Sequence, residues 1–306
     1  MGKKILFLHP NFPAQFKNIA KHLAFLGHEI IFICQTNYSN GIEKVKILKL
    51  KGKLGEESLN SLGLDAMHRS IKIASQYLIG FRELDRQKWS PDIIISHSGW
   101  GCGAYAKQHW PESKIVSYLE WWFNPNSTAY SYDPQNTRLG LNKNSAEKHW
   151  LRNSLITLEI MSADVIVSPT KWQKDQLPKS LAEKCHVVFD GIDENIYNDN
   201  EQSKEMRNNC IQILTYGTRG MEPMRCFPEF IQCLPKIIEN QPNVRVEIAG
   251  QDEVHYGGLS PKGSTWKTWA INYLRENSCQ DNIYWMGRLD ERNYVEWLKR
   301  SDCHIY

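Results

Sequence analysis

The chain has 306 residues, of which 41% are hydrophobic and 23% are charged, and its formal net charge is +3 at pH 7. This composition is typical of a soluble protein, and the length is sufficient for two hydrophobic cores. A protein that coats nucleic acid needs a large excess of basic residues, which is missing. We therefore expect no nucleic-acid partner. Any positively charged surface is expected to be confined to a local patch.

The eight cysteines form no Cys-x-x-Cys pair and have no matching histidine spacing, so the sequence predicts neither a zinc site nor a disulfide framework. Reduced cysteines favour the cytoplasm. The first apolar run, from Ile5 to Leu8, is too short for a signal peptide or a membrane span. Peripheral contact with the inner surface of the membrane is left open.

Short apolar runs alternate with longer amphipathic segments, which is the pattern of βαβ units around a parallel sheet. The predicted strands are 4–8, 29–34, 45–50, 92–96, 114–119, 164–168, 185–189, 211–217, 244–249, 282–286 and 302–306, with helices between them. The polar segment 195–209 is typical of an exposed linker. We therefore predict an α/β protein with two domains, 1–195 and 210–306.

Polar or flexible residues recur where the predicted strands end. They are His9, Asn11, His97, Gly99, Gly101, Glu120 and Asp190 in the first half, and Gly217, Arg219, Gly250 and Gly287 in the second. Because the carboxyl ends of parallel strands meet at one edge of a sheet, each half is expected to present a hydrogen-bonding rim. A ligand between the two rims would touch both, so the sequence predicts a cleft.

An apolar strand that breaks at Gly217 is followed by Arg219 and Arg225. Guanidinium groups at the carboxyl end of a strand predict a phosphate site, because open α/β sheets bind ligands at this edge. At an effective dielectric constant near 20, a guanidinium about 4 Å from a phosphoryl charge gains roughly 4 kcal/mol before desolvation is subtracted. The alternative is a surface turn in which the arginines pair with Glu222 and Glu229.

His97 and Glu120 are the candidate catalytic residues. Glu120 precedes three aromatic residues at 121–123, and a carboxylate in that position needs a partner or a ligand hydroxyl. Aromatic faces beside a carboxylate fit sugar binding, whereas the alternative is a core edge with an ion-paired glutamate. The alternative for His97 is a buried histidine that is satisfied by a backbone carbonyl.

Segments along nearly the whole chain carry a resemblance to a known family. The segment 9–16 reads His-Pro-Asn-Phe-Pro-x-Gln-Phe, and six others follow it in order at 97–101, 118–120, 168–173, 190–193, 219–225 and 301–306. The chain resembles a retaining GT-B glycosyltransferase of family 4, in the subgroup whose first domain opens with the segment at 9–16. One such segment is a weak signal, but six in order are specific.

The resemblance implies two Rossmann-like domains face to face. The first would bind the hydroxyl acceptor, a saccharide or a lipid-linked group, and the second a nucleotide-diphosphate sugar. It also implies that Arg219 and Arg225 bind the diphosphate, that His97 lies near the transferred sugar, and that the loop 9–16 closes over phosphate and acceptor. The arginines would stabilise the leaving diphosphate without a metal, and no Asp-x-Asp motif is present, so we expect neither a metal nor a cofactor.

The expected function is therefore transfer of a sugar with retention, in surface polysaccharide or glycolipid assembly. The alternatives are a GT-B-like nucleotide-sugar epimerase or phosphorylase, and a nucleotide- or sugar-binding module without turnover. Strand 302–306 is predicted to be buried, and nothing follows it that would cover the sheet. We therefore expect the second domain to be incomplete and the chain to be nearly inactive, because by the resemblance a Glu-x7-Glu motif lies beyond Tyr306.

Overall fold

The computed structural model describes residues 2–37, 39–50, 64–131, 133–139, 146, 149–198, 212–256 and 258–306. Most of the predicted linker, residues 199–209, lies outside these ranges. The chain divides into two compact units. Unit 1 comprises Met1–Tyr130 and Lys143–Ile192, and unit 2 comprises Ser131–Asn142 and Asp193–Tyr306.

A parallel sheet of seven strands forms the centre of unit 1. The strands of this unit are β1 (Lys4–Leu8), β2 (Asn11–Phe12), β3 (Glu29–Cys34), β4 (Thr36–Asn37), β5 (Val45–Lys49), β6 (Ile93–His97), β7 (Lys114–Tyr118), β8 (Val165–Ser168) and β9 (Cys185–Val187). The order in the large sheet is β5-β3-β1-β6-β7-β8-β9, and β2 pairs with β4 separately. Every pairing is parallel.

Both faces of this sheet are covered, which explains why its central strands are apolar throughout. In β1, Leu6 and Leu8 belong to one buried cluster, whereas Ile5 and Phe7 belong to another. Successive side chains of a strand point to opposite faces, so the two clusters are the two sides of the sheet. The helices of unit 1 are α1 (Lys17–Phe25), α2 (Leu64–Arg86), α3 (Ala106–His109), α4 (Asn153–Met161), α5 (Lys171–Asp175) and α6 (Lys179–Ala182), with 3-10 turns at Ala14–Phe16 and Thr128–Tyr130.

Unit 2 has a smaller parallel sheet with the order β12-β11-β10-β13. Its strands are β10 (Ile213–Gly220), β11 (Arg245–Gln251), β12 (Ile283–Gly287) and β13 (Cys303–Ile305), and its helices are α7 (Phe227–Asn240), α8 (Trp266–Glu276) and α9 (Glu291–Lys299). Further 3-10 turns lie at Thr137–Leu139, Pro223–Arg225 and Gln280–Asn282. The side-chain oxygens of Thr265 and Asp290 accept backbone hydrogen bonds at the starts of α8 and α9, which satisfies amides that the helices leave unpaired.

A buried carboxylate joins α9 to the sheet of unit 2. Glu247, in β11, has no exposed surface. Its oxygens accept hydrogen bonds from Arg245 at 2.6 Å, from the indole of Trp297 at 2.8 Å and from Arg300 at 2.7 Å. A buried charge is tolerated when it is paired and hydrogen-bonded, so this group is satisfied within the fold.

The prediction of an α/β protein with parallel sheets is confirmed. All eleven predicted strands are present within three residues of their predicted limits, and among the residues that the structure describes only the two-residue strands β2 and β4 were missed. The predicted burial of the last strand is wrong, because β13 is at the end of the sheet order, Cys303 is exposed and Ile305 is 37% exposed. Within the described ranges, no helix has both the length and the apolar composition that crossing a bilayer requires.

Candidate active site

Two histidines lie side by side at the carboxyl ends of β1 and β6, which are neighbours in the sheet. His9 follows β1 directly, and His97 is the last residue of β6. Their ring centroids are 4.9 Å apart with the rings nearly perpendicular, and both side chains are buried. The sheet therefore brings together two rim residues that are far apart in the sequence.

The first of these histidines is held neutral. Burial lowers the pKa of His9 to about 3, and the neighbouring His97 contributes to the same shift. The Nδ1 atom of His9 accepts a hydrogen bond from the backbone amide of Asn11 at 2.8 Å. The proton of the neutral ring therefore lies on Nε2.

The second histidine is paired with a carboxylate. His97 Nδ1 lies 2.8 Å from the carbonyl oxygen of Ser98, and Nε2 lies 3.1 Å from Glu120 Oε2. Both partners are oxygen acceptors, so both contacts are hydrogen bonds when both ring nitrogens carry protons. The imidazole side chain is 4% exposed and the carboxylate 42% exposed, so the pair links the interior of unit 1 to its surface.

A cavity of about 260 Å³ in unit 1 contains this pair in its wall. The other lining residues are Met67, Arg69, Ser70, Ile73, Ser98, Gly99, Trp100, Trp121, Phe123, Leu151, Arg152, Leu155 and Ile156. Cations, hydroxyls and aromatic rings thus surround a carboxylate, and this mixture suits a ligand with hydroxyl groups and apolar faces. The cavity gives His97 a contact with ligand space even though its ring is almost fully buried.

The loop that follows His97 is fixed by a residue that we did not predict. The carboxylate of Glu159, in α4, accepts hydrogen bonds from the backbone amides of Gly99 at 2.6 Å and Gly103 at 2.9 Å. Burial raises the pKa of Glu159 to about 7, and the two amides oppose that shift. The available sequence signal was that Glu159 is the only charged residue in the helix Asn-Ser-Leu-Ile-Thr-Leu-Glu-Ile-Met.

Glycine is required at two of the predicted rim positions. Gly101 has φ +89°, and a Cβ atom there would collide with the carbonyl oxygen of Ser70 in α2. Gly250 has φ +153°, and its Cβ would lie 2.6 Å from the carbonyl oxygen of Thr218. Side chains at either position would push neighbouring segments apart, so these glycines allow the backbone to pack closely.

The remaining predicted rim residue of unit 1 is Asp190, whose carboxylate is held by a tyrosine. The hydroxyl of Tyr118, the last residue of β7, donates to the two oxygens of Asp190 at 2.8 and 3.0 Å. Burial and the hydrogen bond to Asp190 raise the pKa of Tyr118. The ring of Tyr118 lies 5.2 Å from that of His97, so Asp190 is connected to the histidine pair through one side chain.

In unit 2, β10 continues beyond the point where we expected it to break. The strand pairs with β11 at Gly217 and again at Gly220, and the register shifts between these residues. Gly220 also packs closely against the segment that follows β11, because a Cβ atom there would lie 2.5 Å from the carbonyl oxygen of Glu253. Gly217 itself packs beneath Tyr294, and Gly287 ends β12 with φ +66°.

The two predicted diphosphate-binding arginines converge on one aromatic ring. The guanidinium carbon of Arg219 lies 6.0 Å, and that of Arg225 4.7 Å, from the ring centroid of Tyr256. Arg225 also donates a hydrogen bond to the hydroxyl of Tyr306 at 3.1 Å. In the part of the chain that the structure describes, neither guanidinium forms an ion pair with a carboxylate.

The carboxylates that were the alternative partners of these arginines have other contacts. Glu222 is fully buried, and its Oε2 accepts hydrogen bonds from the backbone amides of His255 and Tyr256 at 2.7 and 2.8 Å. Glu229 accepts a hydrogen bond from Asn136 at 3.0 Å and lies 3.7 Å from Arg138. Glu222 thus fixes the backbone that carries the Tyr256 ring beneath the two arginines.

Each unit therefore groups part of the predicted rim. Unit 1 brings together His9, Asn11, His97, Gly99, Gly101, Glu120 and Asp190, and unit 2 holds Gly217, Arg219, Arg225, Gly250 and Gly287. Among the described residues, no group of three histidine, cysteine, aspartate or glutamate side chains has a geometry that could hold a metal ion.

Residues 26–196, more than half of the chain, match the model of the family described as "Glycosyl transferase family 4 group". Among solved structures, the chain is similar to sucrose-phosphate synthase from Thermosynechococcus elongatus, with 11% identity, a TM-score of 0.66, and coverage of 99% of this chain and 75% of that one. It is also similar to HepE from Anabaena in complex with UDP and glucose, with 14% identity, a TM-score of 0.59, and coverage of 99% and 73%.

A third similar structure is WaaG, described as a glycosyltransferase involved in lipopolysaccharide biosynthesis, with 13% identity, a TM-score of 0.60, and coverage of 98% and 74%. At these identities the likeness shows the fold alone, which is the GT-B fold of Rossmann-like domains. No match was found among curated protein sequences.

Proposed function

The chain belongs to the glycosyl transferase family 4 group, and on that premise we propose that it moves a sugar from a nucleotide-diphosphate sugar to a hydroxyl acceptor with retention at the anomeric carbon. Unit 2 would bind the donor diphosphate and unit 1 the acceptor, a saccharide or a lipid-linked hydroxyl. The Anabaena neighbour was solved with UDP and glucose, and WaaG acts in lipopolysaccharide biosynthesis. These neighbours support a nucleotide-sugar donor and a role in surface polysaccharide or glycolipid assembly.

The observation that carries the donor assignment is the convergence of Arg219 and Arg225 over the ring of Tyr256. Their positive charge has no carboxylate partner within the described ranges, so it is available to an anionic ligand. Guanidinium groups bind phosphate oxygens in a two-pronged geometry that lysine cannot reproduce. A diphosphate, with two phosphoryl groups, matches two such side chains.

The chemical contribution of these arginines would be electrostatic. Breaking the bond between the sugar and the diphosphate leaves negative charge on the departing oxygen. Fixed cations beside that oxygen stabilise the charge as it develops, which lowers the barrier more than it strengthens ground-state binding. Because Glu222 holds the backbone of Tyr256, the ring that both arginines contact is in place before the donor binds.

On the acceptor side, His97 and Glu120 would orient hydroxyl groups. Glu120 is partly exposed to the cavity and accepts hydrogen bonds, whereas the buried His97 fixes the direction of its carboxylate. The neighbouring His9 is neutral, so it adds no charge beside the ring of His97. A carboxylate that is held rigidly among aromatic rings is suited to positioning one hydroxyl of a sugar.

The test has two steps. Native mass spectrometry of the purified chain with a panel of nucleotide sugars identifies the donor, and incubation with saccharide and lipid-linked acceptors then measures transfer, with the anomeric configuration of the product read by NMR. Retention in the product supports the proposal, and inversion contradicts it. Donor binding without transfer or hydrolysis supports a non-catalytic binding module instead.

A further inference from the structure

Unit 1 contains a second cavity of about 460 Å³ that shares no lining residue with the cavity of His97 and Glu120. Its volume is within the range of about 300–1,000 Å³ that is typical of small-molecule sites. It is formed by the segment that follows β7, by Trp150 ahead of α4, and by residues between α5 and α6. Neither the resemblance nor the proposed function assigns a role to it.

Two tryptophans provide the aromatic surface of this cavity, and Pro125, Leu177 and Pro178 provide further apolar surface. Trp122 is buried, whereas Trp150 is 47% exposed. Their ring centroids are 6.1 Å apart and the ring planes are at 88°. The rings therefore form a right-angled corner, and the exposed ring of Trp150 offers apolar surface to a ligand.

The polar groups of the cavity are amides. Asn124 and Gln176 contact each other through a long hydrogen bond of 3.4 Å, and the side-chain oxygen of Asn124 accepts the backbone amide of Asn126 at 3.0 Å. The side chain of Asn126 is exposed and makes no hydrogen bond to the other described residues. Its amide can both donate to and accept from a ligand.

None of the residues that line the cavity is charged. This separates it from the first cavity, which contains Arg69, Arg152 and Glu120. A phosphate or nucleotide would need cations that are missing here, and a hydrocarbon chain could form no hydrogen bond with the amides. A pyranose ring has apolar C–H faces and neutral hydroxyl groups at its edge, so it matches both the tryptophan corner and the amides.

We propose that this cavity binds a neutral saccharide unit. The segment 120–126 lines both cavities, because Glu120, Trp121 and Phe123 contribute to the first and residues 122 and 124–126 to the second. A saccharide in the second cavity is thus held by the same segment that positions Glu120. Saccharide binding in this cavity requires no transfer reaction, so the proposal does not depend on whether the chain transfers a sugar.

The experiment is a binding titration without any nucleotide. Methyl glycosides of neutral hexoses and N-acetylhexosamines, and tetrasaccharides built from them, are titrated into the protein by calorimetry and by saturation-transfer NMR. We expect binding that falls at least about tenfold in Trp150→Ala and in Asn126→Ala. Trp172→Ala is the matched control, since Trp172 is 40% exposed in the same unit but lines neither cavity.

Each outcome decides the proposal. Tetrasaccharides that bind more tightly than methyl glycosides support the site and identify its ligand as a glycan chain, whereas equal affinities support it and identify a single sugar. Absence of saccharide binding, or binding that Trp150→Ala and Asn126→Ala leave unchanged while thermal melting shows both folded, overturns it. His97→Ala is expected to keep this binding, so loss of transfer and loss of the saccharide site are separate results.

Discussion

The carboxylate of Glu159 lies 2.6 Å from the backbone amide nitrogen of Gly99, in the loop that directly follows His97. The same carboxylate accepts a second amide, from Gly103, so one side chain fixes both ends of a five-residue loop. This anchor places Gly99 and Trp100 in the wall of the cavity that contains His97 and Glu120. The geometry of the candidate acceptor site therefore depends on a helix that contributes no charged group to its surface.

Substitution of Glu159 is expected to destabilise the fold. In Glu159→Gln, the side-chain NH2 faces one of the two amide donors, and a buried donor without a partner costs about 1–3 kcal/mol. Glu159→Ala leaves both amides unpaired and adds a cavity, so we expect about 3–5 kcal/mol. Urea denaturation gives the change in the free energy of unfolding for both variants. The control is Glu112→Gln on the surface, which is expected to change this free energy by less than about 0.5 kcal/mol. Equal stabilities for Glu159→Gln and Glu112→Gln would contradict the role of the Glu159 carboxylate in holding the loop 99–103.

The stability of the protein is expected to fall as the pH is lowered below 6.5, in part because of His9. The pKa of His9 is about 3 in the folded protein and 6.5 ordinarily, so the unfolded chain binds a proton that the folded protein excludes. The stability from this group is complete above pH 6.5 and is lost as the pH falls towards 3, with about 2 kcal/mol gone by pH 5. Unfolding measured at several pH values should show a shallower loss for His9→Gln than for His22→Gln, an exposed control. If the free energy of unfolding depends on pH in the same way in both variants, His9 is not a buried neutral histidine.

Loss of either arginine is expected to weaken the binding of nucleoside diphosphates. A charge-assisted hydrogen bond is worth about 1.5–3 kcal/mol, so Arg219→Ala and Arg225→Ala should each reduce affinity by that amount. Arg225→Lys keeps the charge and should be milder than Arg225→Ala. Calorimetry with UDP, ADP and GDP gives the affinities, and Arg292→Ala, at an exposed position of α9, is the control. If both alanine variants bind as tightly as the unmodified protein, the diphosphate assignment fails.

His97→Ala is expected to lower turnover more than donor affinity. The role that we propose for His97 is to hold Glu120 toward the acceptor, and that interaction matters in the transition state rather than in donor binding. The values of kcat and of the donor dissociation constant are measured separately for His97→Ala and His97→Gln. If the donor affinity falls while kcat is unchanged, His97 contributes to donor binding and not to holding the acceptor.

The sequence predicted the strands well because each central strand is a local apolar run of four to six residues, as in Ile5 to Leu8. It also pointed to His97 and Glu120 as candidates, because polar residues at strand ends are visible locally, and their catalytic role stays a prediction. It missed Glu159, since its partners Gly99 and Gly103 are almost sixty residues away and only the folded chain brings them together. The register shift in β10 was missed for a similar reason, because it depends on the partner strand.

The distance between the two histidine rings has its origin in the hydrophobic core. The β1–β6 ladder pairs Leu8 with Ser96, and the next residues on the two strands are His9 and His97. A slip of the ladder by one residue would send the two imidazoles to opposite faces of the sheet. What prevents the slip is the alternation of Ile5 and Phe7 with Leu6 and Leu8 between the two buried clusters. The relative position of the two imidazoles therefore depends on a register that the apolar side chains of β1 set, so substitutions in the core are expected to disturb the polar site as well.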